Sequence, residues 1–353
     1  MKKLLTILTM LLVAFALPSK ASANNGEQDG TLDVKGIIFE HLGDHYGWDV
    51  PFCHGQYIPL PCIVRDCNGD WHCFSSDNIM HGGQCEGFYI APENSPYKNK
   101  IVGKDANGNE YRPLDISITK NVAGLFICAA IVCAFCFSIC SWYKRDRSKA
   151  PRRLRGAFEA LIEFVYNGVI RSTLGDKAKR FGPYLLTVFF LIFVLNLMGL
   201  IVIFPGGANI TGNLAVTLVL AIFTFLYVNV RATKHYWKDI FWPDVPIWLK
   251  CPIPIMQVIE VFSIFTKPAA LTVRLFANMM GGHMIVITLT VLIFIFAKMG
   301  AAAAGGSVVV SLAFSIFMLL LDCLVSFIQA YVFTMLSTIF IMLSHEEGEH
   351  EEK

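Results

Sequence analysis

The sequence predicts an all-α integral membrane protein with five membrane segments, the last two of them long and steeply tilted. Hydrophobic residues make up 55% of the 353 residues and charged residues only 16%, against about 25% in ordinary soluble proteins. The mean hydropathy is +0.54, and several uncharged apolar stretches approach or exceed the roughly 18 residues of a membrane helix. This composition excludes a disordered, fibrous or soluble enzymatic protein. Because the basic residues concentrate in two short loops, nucleic acid is a poor partner.

The first 23 residues have the pattern of a secretory signal peptide. Lys2 and Lys3 form a positive start, residues 4–17 an apolar stretch, and Ala21-Ser22-Ala23 a small-residue cleavage site. The alternative is an uncleaved anchor, but fourteen apolar residues are too few to span a bilayer comfortably. We therefore expect cleavage after residue 23 and export of the segment that follows.

Residues 24–118 form the predicted exported region, which carries five of the eleven cysteines. They are Cys53, Cys62, Cys67, Cys73 and Cys85. In an oxidising compartment this number predicts two disulfides and one leftover thiol, with a connectivity that the sequence leaves open. A metal site that uses His54, His72 or His81 is an alternative, but no C-x-x-C spacing supports it. We therefore expect no bound metal.

Five apolar segments make up the predicted membrane domain. They cover residues 122–142, 183–204, 213–230, 252–297 and 307–343. The loop 143–182 holds eleven Lys or Arg and the loop 231–250 holds four, whereas the turns 205–212 and 298–306 hold none and one. The positive-inside rule places both basic loops in the cytoplasm, which agrees with an exported N-terminus.

The first cytoplasmic loop contains one more predicted helix. Between residues 156 and 169, apolar residues recur at helical spacing. They are Phe158, Leu161, Ile162, Val165 and Val169. This pattern predicts an amphipathic helix that lies on the membrane surface. The membrane domain then extends over residues 119–345, and residues 346–353 form an acidic cytoplasmic tail.

The last two apolar segments, residues 252–297 and 307–343, are longer than a membrane helix requires. With 46 and 37 residues, they would reach roughly 69 and 55 Å as helices, against a hydrocarbon core of about 30 Å. Ordinary tilt does not absorb this excess. The two segments are therefore steeply inclined or broken, and Pro252, Pro254 and Pro268 allow a break in the first.

Five ionisable residues fall within these two long segments. They are Glu260, Lys267, Arg274, His283 and Asp322. Charge at membrane depth is costly, with figures for Arg from about 3 to above 10 kcal/mol, so such residues mark ion or substrate pathways. Glu260 and Lys267 are near the cytoplasmic end, where the alternative is that they reach the interface. Arg274 has apolar helix on both sides and remains charged.

The predicted topology orders these residues by depth. His283 and Asp322 fall toward the exterior, whereas Arg274 and Gln329 fall near the middle of the membrane. Asn278 follows one helical turn after Arg274. Because a charged His or Asp needs a partner in lipid, His283 and Asp322 are each other's nearest candidates. This arrangement predicts proton transfer rather than bond chemistry.

Three motifs resemble membrane subunit a of the rotary F-type ATP synthases. They are Leu271-Thr272-Val273-Arg274-Leu275-Phe276-Ala277-Asn278-Met279, Leu195-Asn196-Leu197-Met198-Gly199-Leu200 and Ile328-Gln329-Ala330-Tyr331-Val332-Phe333. The resemblance covers about residues 115–345, with a weaker similarity in residues 37–48. It implies a stator subunit with two half-channels for protons at the interface with a rotating c-ring, which couples the ion gradient to ATP synthesis.

The resemblance also implies roles for single residues. Arg274 corresponds to the family's essential arginine, which faces the proton-binding carboxylates of the c-ring. Asn278 and Gln329 correspond to polar residues at the same interface, and Glu260 to an acidic residue of the cytoplasmic half-channel.

Two positions depart from the pattern of many bacterial relatives. These often have Glu where this chain has His283 and His where it has Asp322, so the residue types are exchanged, although either order keeps one imidazole and one carboxylate. Some relatives carry Asp at the position of Gly199, which puts the detailed lining of the exterior half-channel in doubt.

The resemblance implies a set of partners in a bacterial inner membrane: the c-ring, b-type peripheral stalk subunits and, indirectly, the soluble ATPase sector. The sequence has no G-x-x-x-x-G-K-[ST] motif, so we expect nucleotide chemistry in partner subunits, no cofactor, and no enzyme activity of this chain alone. The alternative is a secondary transporter or another proton channel with intramembrane charges. A transporter would show internal repeats, which this sequence lacks.

Overall fold

The computed structural model describes the β-rich N-terminal part and the helices of the chain. The described residues are 43–49, 57–67, 69–92, 95–104, 109–145, 154–201, 209–241, 255–297 and 301–345. They all belong to one structural unit, Gly36–Lys353. The predicted signal peptide, Cys53, Pro252, Pro254 and the predicted acidic tail lie outside the described residues.

Residues 43–118, for which we predicted no secondary structure, hold eight short strands, so the prediction of an all-α protein is wrong for this part. The strands are β1 Gly47–Asp49, β2 Tyr57–Pro59, β3 Pro61–Arg65, β4 Trp71–Ser75, β5 Phe88–Ile90, β6 Ile101–Lys104, β7 Glu110–Tyr111 and β8 Leu114–Asp115. They form three antiparallel sheets, in the orders β1-β2, β4-β3-β8 and β5-β6-β7. We call residues 43–118 the β-domain.

Alternation along β3 creates the core of the β-domain. Cys62 and Val64 are completely buried, whereas their neighbours point to the opposite face of the sheet. The tight connection from β3 to β4 needs Gly69, whose φ of +94° is accessible to glycine at little cost. The buried residues of this core are Tyr46, Cys62, Val64, Phe74, Ile79, Phe88 and Ile101.

The prediction of two disulfides in this region is wrong, because Cys62, Cys67, Cys73 and Cys85 are free thiols. Two bridges among five cysteines would require at least one bridge between two of these four. The register of the β3–β4 hairpin gives a physical reason: Cys62 lies opposite Phe74, and Cys73 lies opposite Ile63. Cys62 and Cys73 therefore point to opposite faces of the sheet.

The remainder of the described chain is helical. The helices are α1 Lys120–Arg145, α2 Leu154–Val165, α3 Ala178–Leu200, α4 Leu214–Val230, α5 Lys234–Phe241, α6 Ile255–Ala297 and α7 Ala301–Ser344. A π-helical segment, Tyr166–Arg171, and two short helical turns join α2 to α3. Helices α1, α4, α6 and α7 cover almost the whole of the corresponding predicted apolar segments, whereas α3 begins several residues before the start of the predicted segment 183–204 and ends several residues before its end.

Four helical stretches among the described residues are long and apolar enough to cross a membrane. They are Lys120–Lys144, Leu154–Leu200, Gln257–Leu292 and Gly306–Ser344. The predicted span at 213–230 is also an apolar helix, α4, but has 17 residues. The multi-pass helical class is therefore confirmed, and a count of five spans stays a prediction.

The two long segments are not broken within their described residues. Helix α6 runs through 43 residues with Pro268 in its interior, and α7 runs through 44. A break at Pro268 is therefore excluded, and steep inclination remains the prediction for their fit to a bilayer. Because α6 is continuous, the spacing of seven places Glu260, Lys267 and Arg274 near one face.

Helix α3 provides the centre of the helical core. Phe181, Leu185, Phe189 and Leu195 on this helix are buried, and they belong to a cluster that also includes Phe333 of α7. Helix α6 packs along α7 and α4, and α7 also packs along α3. The long α6–α7 pair is thus held in place by α3 and α4.

Helix α2 covers most of the segment predicted as an amphipathic helix, residues 156–169, and its apolar side chains pack within the protein. Phe158 stacks on Phe135 of α1 with ring centroids 4.2 Å apart and on Phe190 of α3 at 5.1 Å. Val165 is fully buried. The position of α2 on a membrane surface stays a prediction.

The β-domain is fastened directly to the start of α1. The backbone N–H of Lys120 donates to the carbonyl of His45 at 3.0 Å, and that of Asn121 donates to a carboxylate oxygen of Asp44 at 3.2 Å. These bonds satisfy two of the donors that a helix N-terminus leaves free. Trp48 is only 3% exposed and belongs to the helical core cluster.

Candidate functional site

Arg274 lies on an exposed, otherwise apolar face of α6. Its neighbours Ala270, Val273 and Ala277 on the same face are exposed as well. The one ion pair between described residues joins His72 to Glu86, so Arg274 has no carboxylate partner in the described part of the chain. A guanidinium among apolar side chains is stabilised by water or by an opposite charge, and the described residues supply no such charge.

Asn278 and Gln329 are both half-buried on the packed helices α6 and α7. Gln329 stands between the exposed Ile328 and the fully buried Ala330. Across residues 255–297 and 301–345, the structure shows no hydrogen bond that joins Arg274, Asn278 and Gln329. The polar groups of these residues are therefore available to another surface or to water.

Asp322 of α7 packs against the α6 backbone next to His283. A Cβ atom added to Gly282 would lie 2.6 Å from one carboxylate oxygen of Asp322 and 2.7 Å from the other. Such distances are too short for a side chain, so the glycine permits this close approach. Asp322 thus lies beside the residue that precedes His283, as the predicted depth order requires.

The imidazole of His283 is enclosed but incompletely bonded. Its Nε2 atom is buried and has no hydrogen-bond partner among the described residues. No ion pair joins His283 to Asp322 within that part of the chain. The structure therefore brings the two residues to the same level without a direct bond, and a bridging water is a hypothesis for how they would communicate.

His283 lies toward the end of the helical bundle where α1 begins at Lys120. The ammonium group of this lysine is within electrostatic range of His283, and Lys120 is the first residue of α1, where the β-domain attaches. His283 and Asp322 are therefore located toward the β-domain end of α6 and α7.

A small cavity lies toward the other end, between α4, α5, α6 and α7. Its volume is about 30 Å³, above the roughly 10–15 Å³ that one water molecule needs. Asn229, Tyr236 and Lys267 are polar residues of its lining. The Oδ1 atom of Asn229 is buried and has no partner among the described residues, which is the usual environment of a buried water.

Glu260 lies close to this cavity. Burial, and then the carboxylate of Glu260, raise the pKa of Tyr236. Lys267, which also lines the cavity, places its ammonium 5.2 Å from the ring centroid of Phe340. No sequence motif marks Asn229 or Tyr236, and only the packing of α4 and α5 against α6 brings them close to Glu260.

The same end of the bundle gathers cations around His345. The Lys177 ammonium donates to the His345 carbonyl at 2.7 Å, and the ring of His345 meets Phe181 at 4.8 Å. Burial first, and then Lys177, Arg180 and Arg231, lower the pKa of His345. Basic residues from the start of α3 and the end of α4 thus meet the end of α7.

These features define a class: a multi-pass helical membrane protein with ionisable residues along two long, packed helices. The sequence profile of the family described as ATP synthase A chain matches residues 122–342, more than half of the chain. The chain therefore belongs to the ATP synthase subunit a family. A second profile, described as a domain of unknown function (DUF8433), matches residues 37–117, which include most of the β-domain.

Individual relatives agree with the family match. The chain is 41% identical to ATP synthase subunit a of Chlorobium phaeobacteroides (strain DSM 266), over 96% of this chain and 92% of that protein. It is 40% identical to ATP synthase subunit a of Chloroherpeton thalassium, over 67% of this chain and 69% of that protein. It is 35% identical to ATP synthase subunit a of an Anaeromyxobacter species, over 95% of this chain and 77% of that protein.

Proposed function

We propose that this chain is the stator subunit of an F-type ATP synthase membrane sector. It would provide two half-channels for protons at the interface with a rotating c-ring and so couple the ion gradient to ATP synthesis. The observation that carries the proposal is Arg274, a permanent cation on an exposed apolar face, without a partner in the described chain, in a protein of the ATP synthase subunit a family. A ring of carboxylates is the partner that such a face requires.

The exterior half-channel would run past His283 and Asp322. Their neighbouring positions and the unbonded Nε2 of His283 support this role, because an imidazole and a carboxylate near neutral pH can pass a proton through water. The cytoplasmic half-channel would start at Glu260 and the cavity lined by Asn229 and Tyr236.

Arg274 would separate the two half-channels. A fixed positive charge favours the ionised form of a nearby carboxylate, so a ring carboxylate that reaches Arg274 releases its proton. The same charge repels protons and prevents direct leakage between the channels. Asn278 and Gln329, near the same interface, would orient the carboxylate by hydrogen bonds.

The proposed orientation has the β-domain outside the cell membrane and the C-terminus inside. The bias of Lys and Arg between loops supports it, and so does the cluster of Lys177, Arg180 and Arg231 at the end away from Lys120. Partners would be the c-ring, b-type peripheral stalk subunits and, indirectly, the soluble ATPase sector. Nucleotide hydrolysis would belong to that sector.

The test measures ATP-driven proton pumping in inverted membrane vesicles. Arg274→Ala should abolish pumping while the complex still assembles, and Arg274→Lys should fail nearly as completely, because a compact ammonium lacks the planar guanidinium fork. Arg171→Ala, at an exposed arginine outside the proposed path, is the matched control. Normal pumping by Arg274→Lys would contradict the proposed role, and absence of a c-ring from the isolated complex would favour a secondary transporter.

A further inference from the structure

One face of the β4-β3-β8 sheet is exposed although it carries large apolar side chains. Strand alternation directs Ile63 and Arg65 of β3 to this face, opposite the buried Cys62 and Val64. Trp71 is 56% exposed, Leu114 57% and Ile116 56%. The face, which we call the Trp71 face, consists of Ile63, Arg65, Trp71, Cys73, Leu114 and Ile116.

The register places a cation in the middle of this face. Arg65 lies directly opposite Trp71 on one side and Leu114 on the other. Its guanidinium carbon is 5.6 Å from the centroid of a Trp71 ring, within cation–π range. A second arginine, Arg112, lines an open cleft at the edge of the face together with Arg65.

Two carboxylates near this face, those of Asp115 and Asp66, are hydrogen-bonded by tyrosines, whereas Asp70, next to Trp71, is exposed. Asp115 belongs to the opposite side of β8, where it accepts a hydrogen bond from Tyr46. Asp66, in the cleft, accepts from the Tyr111 hydroxyl, and this bond lowers the pKa of Asp66. The exposed side chains of the Trp71 face itself are aromatic, aliphatic or cationic, apart from the thiol of Cys73.

The Trp71 face continues into the first membrane-length helix. The sheet pairing extends past β8, because Ile116 N–H donates to the Ile63 carbonyl at 3.0 Å and Ile118 N–H to that of Pro61 at 3.1 Å. Leu114, Ile116 and Ile118 thus form an apolar row that ends two residues before α1. At about 3.3 Å per residue, Leu114 is within roughly 20 Å of the first residue of α1.

The β-domain is held at this end of the bundle rather than joined to it by a free linker. The hydrogen bonds from Lys120 and Asn121 to His45 and Asp44 fix it to the start of α1. Trp48 is buried in the helical core cluster. Because the β-domain is fixed at the start of a membrane-length helix, a sheet face directed toward the bilayer would contact the lipid headgroups.

We propose that the Trp71 face rests on the bilayer, with Trp71, Leu114 and Ile116 at the boundary between headgroups and acyl chains and with Arg65 and Arg112 on lipid phosphates. Tryptophan is enriched at this boundary, and arginine pairs with phosphate through its planar fork. The continuity of the apolar row with α1 favours lipid over a second copy or a partner subunit. The β-domain would then act as a collar that fixes the outer end of α1 against the bilayer.

The test uses the full chain, reconstituted in vesicles of phosphatidylcholine and phosphatidylglycerol, with Trp71 as its one tryptophan and the other five replaced by Phe. Emission from Trp71 should be blue-shifted and strongly quenched when the lipids carry brominated acyl chains. In the matched control, Trp71→Phe is combined with Tyr97→Trp, so that the single tryptophan lies in the connection between β5 and β6. It should be quenched several-fold less.

Two further measurements separate lipid contact from the alternatives. Arg65→Glu with Arg112→Glu should weaken the quenching in anionic vesicles, and Cys73 should react several-fold more slowly with an impermeant maleimide in vesicles than in detergent. Unquenched, water-like emission from Trp71 in vesicles would overturn the proposal. Protection of Trp71 and Cys73 that arises only in the assembled complex would also overturn it and assign the face to a protein partner.

Discussion

The β-domain and the helical part of the chain differ in how completely their buried polar atoms are hydrogen-bonded. In the β-domain, the buried Tyr46 donates to Asp115, and the buried Ser76 hydroxyl accepts from the Leu60 N–H at 2.9 Å. In the helical part, buried hydroxyls such as those of Thr334 and Thr338 donate to backbone carbonyls, but other buried polar atoms are left without a hydrogen bond. The atoms of this kind among the described residues belong to Thr119, Asn196, Asn209, Thr211, Asn229, Gln257, His283, Ser311 and Ser337. All of them lie at or beyond the residue that precedes α1.

This difference indicates which part of the protein needs water or another molecule to complete its hydrogen bonds. An unpaired buried polar atom costs about 1–3 kcal/mol, so proteins retain few of them without a reason. In the β-domain, protein groups supply the hydrogen bonds that water would otherwise make. Burial of Tyr46, and then its hydrogen bond to Asp115, raise the pKa of its hydroxyl. In the helical part, His283 and Asn229 fall on the two proposed proton paths, where water would complete their bonding.

The largest effect that would test this contrast concerns His283 and Asp322. His283→Ala and Asp322→Ala should each slow ATP-driven pumping about 5- to 150-fold, the range that corresponds to a lost buried partner. The double variant should be less impaired than the product of the singles, because the orphaned group is also removed. The exchange variant, His283→Asp with Asp322→His, serves as the control and should keep substantial pumping. Multiplying losses with an inactive exchange variant would mean that the two residues act separately.

A second prediction uses two adjacent glycines. In Gly282→Ala the new methyl would lie 2.6 Å from the Asp322 carboxylate, whereas at Gly281 nothing lies within 4 Å of an added Cβ. We expect Gly282→Ala to displace the carboxylate and slow pumping several-fold, and Gly281→Ala to have no effect. Pumping rates and the amount of assembled complex are measured for both.

The control for that experiment removes the displaced group. In an Asp322→Ala background, Gly282→Ala should cause no additional loss, because the clash no longer exists. Equal effects of Gly281→Ala and Gly282→Ala would show that helix flexibility rather than the carboxylate position matters.

A smaller effect is expected at the cavity near Glu260. Asn229→Leu replaces the amide, whose Oδ1 has no partner in the described chain, by an apolar group that excludes water, so pumping should fall a few-fold without loss of assembly. Asn229→Ser, which still binds water, should be milder. Asn167→Leu, at an exposed asparagine, is the matched control, and equal effects of Asn167→Leu and Asn229→Leu would argue against a water path.

The sequence predicted the helices well and the β-domain poorly for physical reasons. An apolar run such as residues 213–230 has sharp ends, and α4 begins and ends within one residue of it. The β-domain strands have two to five residues, too short for alternation to stand out. The β3–β8 pairing joins segments distant in sequence, and the register of the β3–β4 hairpin, which sets Cys62 and Cys73 on opposite faces, could not be read from the sequence.

The candidate site divides in the same way. Arg274, His283 and Asp322 could be found in the sequence because a charge in an apolar run is visible there. Asn229 and the fit of Asp322 against Gly282 could not, since each depends on which helices meet. Periodicity gives the face of a helix but not its neighbour.

The smallest effect is expected in the β-domain, where buried groups are already satisfied. Burial raises the pKa of the Cys62 thiol to about 11, so at pH 8 only about 0.1% would be the reactive thiolate. Cys62 should therefore react with iodoacetamide far more slowly than the exposed Cys67, and its rate should rise with pH up to about 11. Mass spectrometry of the labelled peptides measures both rates in one sample. Fast labelling of Cys62 at pH 8, or peptides joined through Cys62 and Cys73 before any reduction, would show that this core opens and would restore the disulfide hypothesis.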